Sequence, residues 1–151
     1  MKVVISDGTG TIDAAKLSLI TAKTTGTVTL QNAQTIQGTG DEVTAALITD
    51  AVTLGAASNA TVTGNVTAQV AGNIANVTDI TAAFSGTITD TLANLASGGS
   101  ISTNFSRARG DDTDVKVVVS DGTGTLDAAD LAAITAKTTG TVTLQNAQTI
   151  Q

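Results

Sequence analysis

Short segments rich in β-branched residues recur along the chain and alternate with segments of helical spacing. They place Val, Ile or Thr at alternate positions, which is typical of strands on a pleated surface. The first four are about 25 residues apart, which is the period of solenoid coils. These segments are residues 3–5, 27–30, 51–54, 77–80, 100–102 and 117–119, with second short pieces at 35–37, 61–63 and 87–89.

Segments with helical spacing lie between the strand-like segments. Asp13 begins an apolar-rich stretch over residues 13–20 and is of a type favoured at helix N-caps. Residues 41–48 carry Asp41 and Glu42 in the first turn, where the helix dipole favours acidic side chains. Each helix has two or three turns, so it needs a neighbouring apolar surface to be stable. Further apolar residues at helical spacing are Val66, Val70 and Ile74, and then Leu92 and Leu95.

The alternation predicts an α/β solenoid in which coils of about 25 residues stack into a parallel sheet, as in leucine-rich repeats. Each coil is a strand, a turn and a short helix, although the pattern leaves open whether a coil has one strand or two. An all-β solenoid is the alternative. The chain has two Phe and no Trp or Tyr, so small and β-branched side chains must build its core. The expected core includes Val28, Leu30, Ile36, Val43, Leu47, Val52 and Leu54.

One sequence occurs twice. Residues 116–151 repeat residues 2–37 at an offset of 114, with 31 of 36 positions identical. We therefore predict one long tandem unit of four to five coils over 1–114 and the start of the next over 115–151, in a fragment of a longer array. Residues 104–116 are densely charged and include an Arg-Gly-Asp tripeptide, so we expect a projecting loop or a hinge there. The five differences between the copies are Ile5/Val119, Ile12/Leu126, Lys16/Asp130, Ser18/Ala132 and Leu19/Ala133.

Composition narrows the chemistry. The chain has no His and no Cys, so it lacks an imidazole base, a thiol nucleophile and a zinc–thiolate site. Its net charge is −6 with a pI near 4.2, and no basic stripe or aromatic platform would bind a nucleic acid. No apolar run approaches the length needed to cross a bilayer. We expect no enzymatic activity, no nucleic-acid partner and no membrane insertion.

Each copy contains a segment that resembles the calcium loop of EF-hands and dockerins. On the 12-residue loop Asp7 takes position 3, Gly10 position 6 and Asp13 position 9. Ile5 and Lys16 stand at the first and last positions, where acidic ligands are needed. We therefore favour a tight DGTG turn with positive-φ glycines, followed by a helix N-cap, and expect no high-affinity metal. Calcium is the one cofactor that the sequence suggests, and its weak candidate ligands are Asp7, Asp13, Asp121, Asp127 and Asp130.

Threonines at alternate positions suggest one further surface. A ladder of Thr-x-Thr pairs on a flat face can order water, as some ice-binding proteins do. Such a face needs one pair at a constant place in each coil, and here the pairs shift in phase. Ice binding is therefore a minor alternative. The pairs are 9/11, 27/29, 61/63, 87/89 and 141/143.

Residues 27–99 carry a resemblance in phrases such as NVTAQV at 65–70 and ITDTLANLA at 88–96. They resemble the Thr/Ala-rich tandem repeats of giant secreted or cell-surface proteins of bacteria, above all marine cyanobacteria. The resemblance implies an extracellular or cell-surface location and roles in adhesion, surface coats or cell-surface interaction. The expected function is a structural spacer whose partners are neighbouring repeats, with head-to-tail self-association. The alternative is a calcium- or carbohydrate-dependent adhesive binding module.

Overall fold

Short strands and short helices alternate along the whole chain in the computed structural model, which describes residues 1–50 and 52–151. The strands are β1 Val3–Ile5, β2 Thr11–Asp13, β3 Val28–Leu30, β4 Thr35–Thr39, β5 Thr53–Leu54, β6 Ser58–Thr63, β7 Ile80–Phe84, β8 Thr87–Asp90, β9 Ala96–Ser97, β10 Ser100–Ile101, β11 Lys116–Val119, β12 Gly124–Leu126, β13 Val142–Leu144 and β14 Gln148–Ile150. The helices are α1 Ala14–Ala22, α2 Gly40–Thr44, α3 Ala68–Ala75, α4 Leu92–Leu95, α5 Thr103–Asp111 and α6 Ala128–Thr135, and α2 runs on into a π-helical turn over Ala45–Thr49.

The strands form several small sheets, most of them parallel. Among residues 1–50 and 52–151, the parallel sheets have the orders β1-β3-β5, β2-β4-β6-β7, β8-β11-β13 and β12-β14. β9 and β10 form an antiparallel hairpin. The α/β class with mostly parallel sheets is therefore confirmed, and the all-β alternative is wrong. The expectation of one continuous sheet is also wrong, because the strands divide into separate sheets.

Parallel partners are 22 to 29 residues apart in the sequence, and most pairs are separated by about 25. Val3 pairs with Val28 and Thr11 with Thr35, which are separations of 25 and 24 residues. The separation falls to 22 between β6 and β7 and rises to 29 between β8 and β11. The longer connection holds the β9–β10 hairpin and α5. Most repeats contain two strands followed by a helix, and we call each such repeat a coil.

The core is a continuous cluster between the strands and the helices in which Ala, Val and Ile predominate, together with Leu and Phe. Six of the seven predicted core residues are buried, and Leu54 is partly buried and packs against the same cluster. The helices contribute through one face each; α1, for example, buries Ala14 and Leu17. Phe105 is the largest side chain that is fully buried.

Two of the predicted strands differ from the structure. Residues 77–79 form the turn after α3, and β7 begins only at Ile80, because Asp79 adopts a left-handed φ of 64° that breaks extended backbone. Ser100–Ile101 is a strand, but it lies in the antiparallel hairpin, where Gly98 and Gly99 have φ of 62° and 75°. Those values suit a two-residue hairpin turn. The predicted strand at 51–54 appears as β5, and Ala51 lies outside the described residues.

Several predicted helices are present with altered bounds. The helix expected over 13–20 is α1, which begins at Ala14 with Asp13 as its N-cap, and residues 41–48 are helical as expected. Val66 precedes α3 and instead forms a parallel bridge with Ile88. The loop or hinge expected over 104–116 is wrong, because α5 covers Thr103–Asp111 and includes the Arg-Gly-Asp tripeptide. Phe105 and Ala108 are three residues apart on one helix face and are fully buried.

Candidate functional site

The two DGTG turns are held by amide side chains from the next coil. Asn32 Nδ2 donates to the carbonyl oxygen of Asp7 at 2.7 Å, and the buried Gln34 donates from Nε2 to that of Gly8 at 2.9 Å. These bonds fix the turn against its neighbour, and they use backbone oxygens rather than the Asp7 carboxylate. The second copy repeats them from Asn146 to Asp121 and from Gln148 to Gly122, both at 2.6 Å.

The carboxylates that resemble calcium ligands bind backbone N–H groups. Asp13 Oδ1 accepts from Lys16 N at 3.0 Å, and Asp127 Oδ1 accepts from Ala129 N at 2.7 Å and from Asp130 N at 3.1 Å, so both Asp13 and Asp127 cap helices as expected. Asp121 Oδ2 accepts from Leu92 N and Asp130 Oδ1 from Gly99 N, each at 2.6 Å. In the part of the chain that the structure describes, no group of three or more His, Cys, Asp or Glu is placed to hold a metal ion.

The DGTG glycines do not have the backbone conformation expected of them. Positive φ occurs among the described glycines at Gly64, Gly98 and Gly99, and at none of the four glycines in the DGTG turns. A Cβ at Gly8 would meet no atom within 4 Å, and at Gly10 only ordinary contacts. The turn is therefore shaped by the amides of Asn32 and Gln34, which bind its carbonyl oxygens, and not by left-handed glycines.

Other glycines lie where one coil passes close to the one before it. A Cβ at Gly55 would be 2.6 Å from the carbonyl oxygen of Leu30, closer than real Cβ contacts. A Cβ at Gly26, Gly86 or Gly140 would overlap the backbone of Met1, Gly64 or Asp114 in the same way. The partners are 22 to 26 residues apart, so these positions mark the coil period. The sequence pattern did not predict this role, although glycines at this spacing are a signal that could have indicated it.

Two aspartates cover the outer edge of the sheet that ends at β7. Asp111 Oδ2 accepts from Ala82 N at 2.9 Å, and Asp112 Oδ2 accepts from Phe84 N at 2.7 Å. These N–H groups would otherwise be open to a further strand. Burial raises the pKa of Asp112 above its ordinary value; the carboxyl of Asp114 adds to the rise, and the Phe84 N–H opposes it.

The outer face of the β2-β4-β6-β7 sheet carries polar columns. The paired positions 11, 35, 59 and 81 are Thr, Thr, Asn and Thr, whereas 13, 37, 61 and 83 are Asp, Gln, Thr and Ala. One threonine-rich column is thus formed on this face, and its neighbour is mixed. A shallow polar groove of about 360 Å³ lies beside the first column, and the second copy has a similar groove of about 450 Å³. Both are lined by Thr, Gly, Ala and Gln from equivalent positions.

Burial differs between equivalent residues of the two copies. Ile20 is 38% exposed, whereas its equivalent Ile134 is 0% exposed because α6 packs against β9 and β10 of the preceding unit. The reverse holds at the other side, where Leu17 is fully buried by the next coil and Leu131 is only partly buried. Each coil therefore has two contact faces, one toward the preceding coil and one toward the following coil.

No family model, no curated protein and no solved structure matches this chain. Within the described residues, no helix is both long enough and apolar enough to cross a membrane.

Proposed function

We propose that the chain is a structural spacer: a solenoid segment of a large secreted or cell-surface protein, without catalytic activity of its own. The observation that carries the proposal is the bonding between successive coils. Parallel strand pairing joins most successive coils, and β8 pairs with β11 across the β9–β10 hairpin. Side chains such as Asn32 and Gln34 add hydrogen bonds between paired coils. A chain whose units contact only their neighbours extends in proportion to copy number.

The duplicated segment supports the same proposal. Residues 116–151 repeat residues 2–37 and stack on the first unit through β8 and β11. The neighbouring repeats of one chain are then the main partners, and the open coil faces favour head-to-tail association between chains. The resemblance of residues 27–99 to repeats of giant bacterial surface proteins supports an extracellular location and a role in adhesion or a surface coat.

Arrays of one to four copies of residues 38–151 test the spacer, because this 114-residue unit places residues 116–151 after every β8. Four strand-to-strand steps separate β1 and β2 from β11 and β12. At about 4.8 Å a step, each added unit should lengthen the particle by about 19 Å in small-angle scattering. A radius of gyration that grows as for a collapsed globule, or as for an unfolded chain, would contradict the proposal.

An adhesive module is the second candidate, and the two similar grooves are the observation that favours it. Their hydroxyl and amide groups could bind a carbohydrate, with Thr35 in one groove and Thr149 in the other. Binding of a glycan panel to the whole chain, lost stepwise in Thr35→Val and Thr149→Val, would support this candidate. Thr78→Val makes the same change at an exposed turn residue outside both grooves, so it serves as the matched control.

A further inference from the structure

Residues 116–137 dock on one surface of the first unit, which we call the platform: β8, α4 and the β9–β10 hairpin. β11 pairs with β8, and α6 packs against both hairpin strands. Asp121 Oδ2 accepts from Leu92 N, and Asp130 Oδ1 accepts from Gly99 N, each at 2.6 Å. Val117, Val119, Leu126 and Ile134 are buried at or near this junction.

The first coil carries almost the same docking residues. Val3, Ile5, Ile12 and Ile20 stand at the equivalent apolar positions, and Asp7 stands where Asp121 is. All four apolar residues are less buried than their equivalents. The first coil of a second molecule therefore offers the platform a near-copy of its own partner. Exchange of this kind is a characteristic failure of repeat proteins.

The two coils differ where α6 meets the hairpin. Lys16 and Leu19 are exposed, whereas their equivalents Asp130 and Ala133 are partly buried, so these positions face the preceding unit. Position 18 instead faces the following coil: Ser18 Oγ is enclosed in the first copy, whereas its equivalent Ala132 is exposed in the second.

We propose that Lys16 and Leu19 keep the first coil off the platform, so that the platform selects the coil that begins at residue 116. An ammonium at position 16 cannot accept the Gly99 N–H, as the Asp130 carboxylate does. Leucine at position 19 adds three carbons at a position where the equivalent Ala133 is already partly buried in the docked coil. Specificity here comes from a mismatch built into the wrong partner. The inference rests on the stacking of units in the proposed function and adds to it a rule for their order.

An exchange variant of the full chain tests this selection. Lys16→Asp and Leu19→Ala give the first coil the matching residues, while Asp130→Lys and Ala133→Leu give the second the mismatched ones. Composition and net charge are unchanged. Hydrogen exchange at Gly99 and over 116–137 reports docking, and sedimentation velocity reports association. The partial variant Asp130→Lys/Ala133→Leu isolates the mismatch, and Asp130→Asn, which keeps an acceptor oxygen, is the control.

We expect the partial variant to speed exchange at Gly99 by about tenfold or more, and Asp130→Asn to leave it close to wild type. The exchange variant should associate at concentrations where the wild type is monomeric. As its concentration is raised and association increases, Gly99 should regain its protection from hydrogen exchange. Wild-type protection in the partial variant would overturn the selection proposal alone. An unprotected Gly99 and segment 116–137 in the wild type would instead show that the units do not stack, which contradicts the proposed function as well.

Discussion

At the scale of single residues, short oxygen-bearing side chains satisfy the first N–H groups of most helices. Asp13, Thr39, Thr67, Ser102 and Asp127 each accept a bond from a backbone N–H two or three residues ahead. At Thr39 the bond is reciprocal, because the Glu42 carboxylate accepts from Thr39 N at 2.8 Å. These caps are local in sequence, so residue type alone indicates them, as it did for Asp13 and Asp127.

Replacing Asp13 tests the local role of this residue. Asp13→Ala removes the acceptor for Lys16 N and should lower the free energy of unfolding by about 0.5–2 kcal/mol. Asp13→Asn keeps an oxygen in the same place and should lose much less. Urea unfolding followed by circular dichroism measures both. Equal losses in the two variants would mean that charge, rather than the hydrogen bond, matters at this position.

The raised pKa of Asp112 predicts the direction in which the stability of the fold changes with pH. Its folded pKa is raised above 3.8, so the folded state binds the proton more tightly than the unfolded chain does. This contribution to stability is therefore complete below pH 3.8 and is lost as the pH rises through the folded pKa. Asp112→Asn should gain stability relative to wild type between about pH 3 and pH 7, as measured by urea unfolding across that range. A relative loss over the same range would contradict the raised pKa.

The remaining bonds at this scale could not be read from the sequence. Asp111 and Asp112 bind N–H groups of β7 that are 28 or 29 residues earlier, and Asp121 binds Leu92 at a separation of 29. Nothing in the local sequence distinguishes such an aspartate from a solvated one or from a metal ligand. The partner of each aspartate depends on how many residues separate two paired strands. That number varies from 22 to 29 and is fixed only when the strands have paired.

At the scale of elements, hydrophobic spacing indicated most strands and helices but not α5. Charged residues dominate its sequence, so the pattern suggested a loop. Phe105 and Ala108 nevertheless form a narrow apolar stripe, and that stripe is enough because α5 packs closely against α3. Gly72 of α3 permits this approach, since a Cβ there would be 2.6 Å from Asn104 Cα. Contact with a neighbouring helix outweighs weak local propensity.

Leu47 tests the packing of the π-helical turn that follows α2. Its side chain is 5% exposed, so Leu47→Ala should lower the free energy of unfolding by about 2–5 kcal/mol. Leu19→Ala is a matched control, because Leu19 is 62% exposed and should change stability by no more than about 0.5 kcal/mol. Similar losses in the two variants, measured by denaturant unfolding, would mean that residues 45–49 do not pack against the core.

A pair of glycine substitutions tests the close stacking of coils. Gly86→Ala places a Cβ against the backbone carbonyl of Gly64, which cannot move aside as a flexible side chain can, so we expect a loss of about 1–3 kcal/mol. Gly110→Ala, in α5, has open space around the added carbon and should gain about 0.5–1 kcal/mol from helix propensity. Thermal and urea unfolding of both variants should therefore show effects of opposite sign.

At the scale of the whole molecule, the chain combines repetition with interruption. The coil period was readable from the sequence because strand-like segments recur at about 25 residues. The division into separate sheets was not readable, because it depends on the extra residues between β8 and β11 and on the aspartates that cover β7. Asp13 and Asp127 were correctly predicted as helix caps, but the bonds of Asp121 and Asp130 at the junction required the neighbouring coil to be in place.

The response of the whole chain to calcium separates a spacer from a calcium-dependent module. A ligand that binds only the folded state raises the melting temperature, whereas added salt acts on a chain of net charge −6 by screening alone. Four of the five candidate carboxylates already accept backbone N–H groups, which compete with a cation for the same oxygens. We therefore expect millimolar calcium chloride to shift the melting temperature no more than sodium chloride at the same ionic strength. An additional rise of several degrees that is specific to calcium and absent in Asp121→Ala would contradict this expectation and favour the adhesive module.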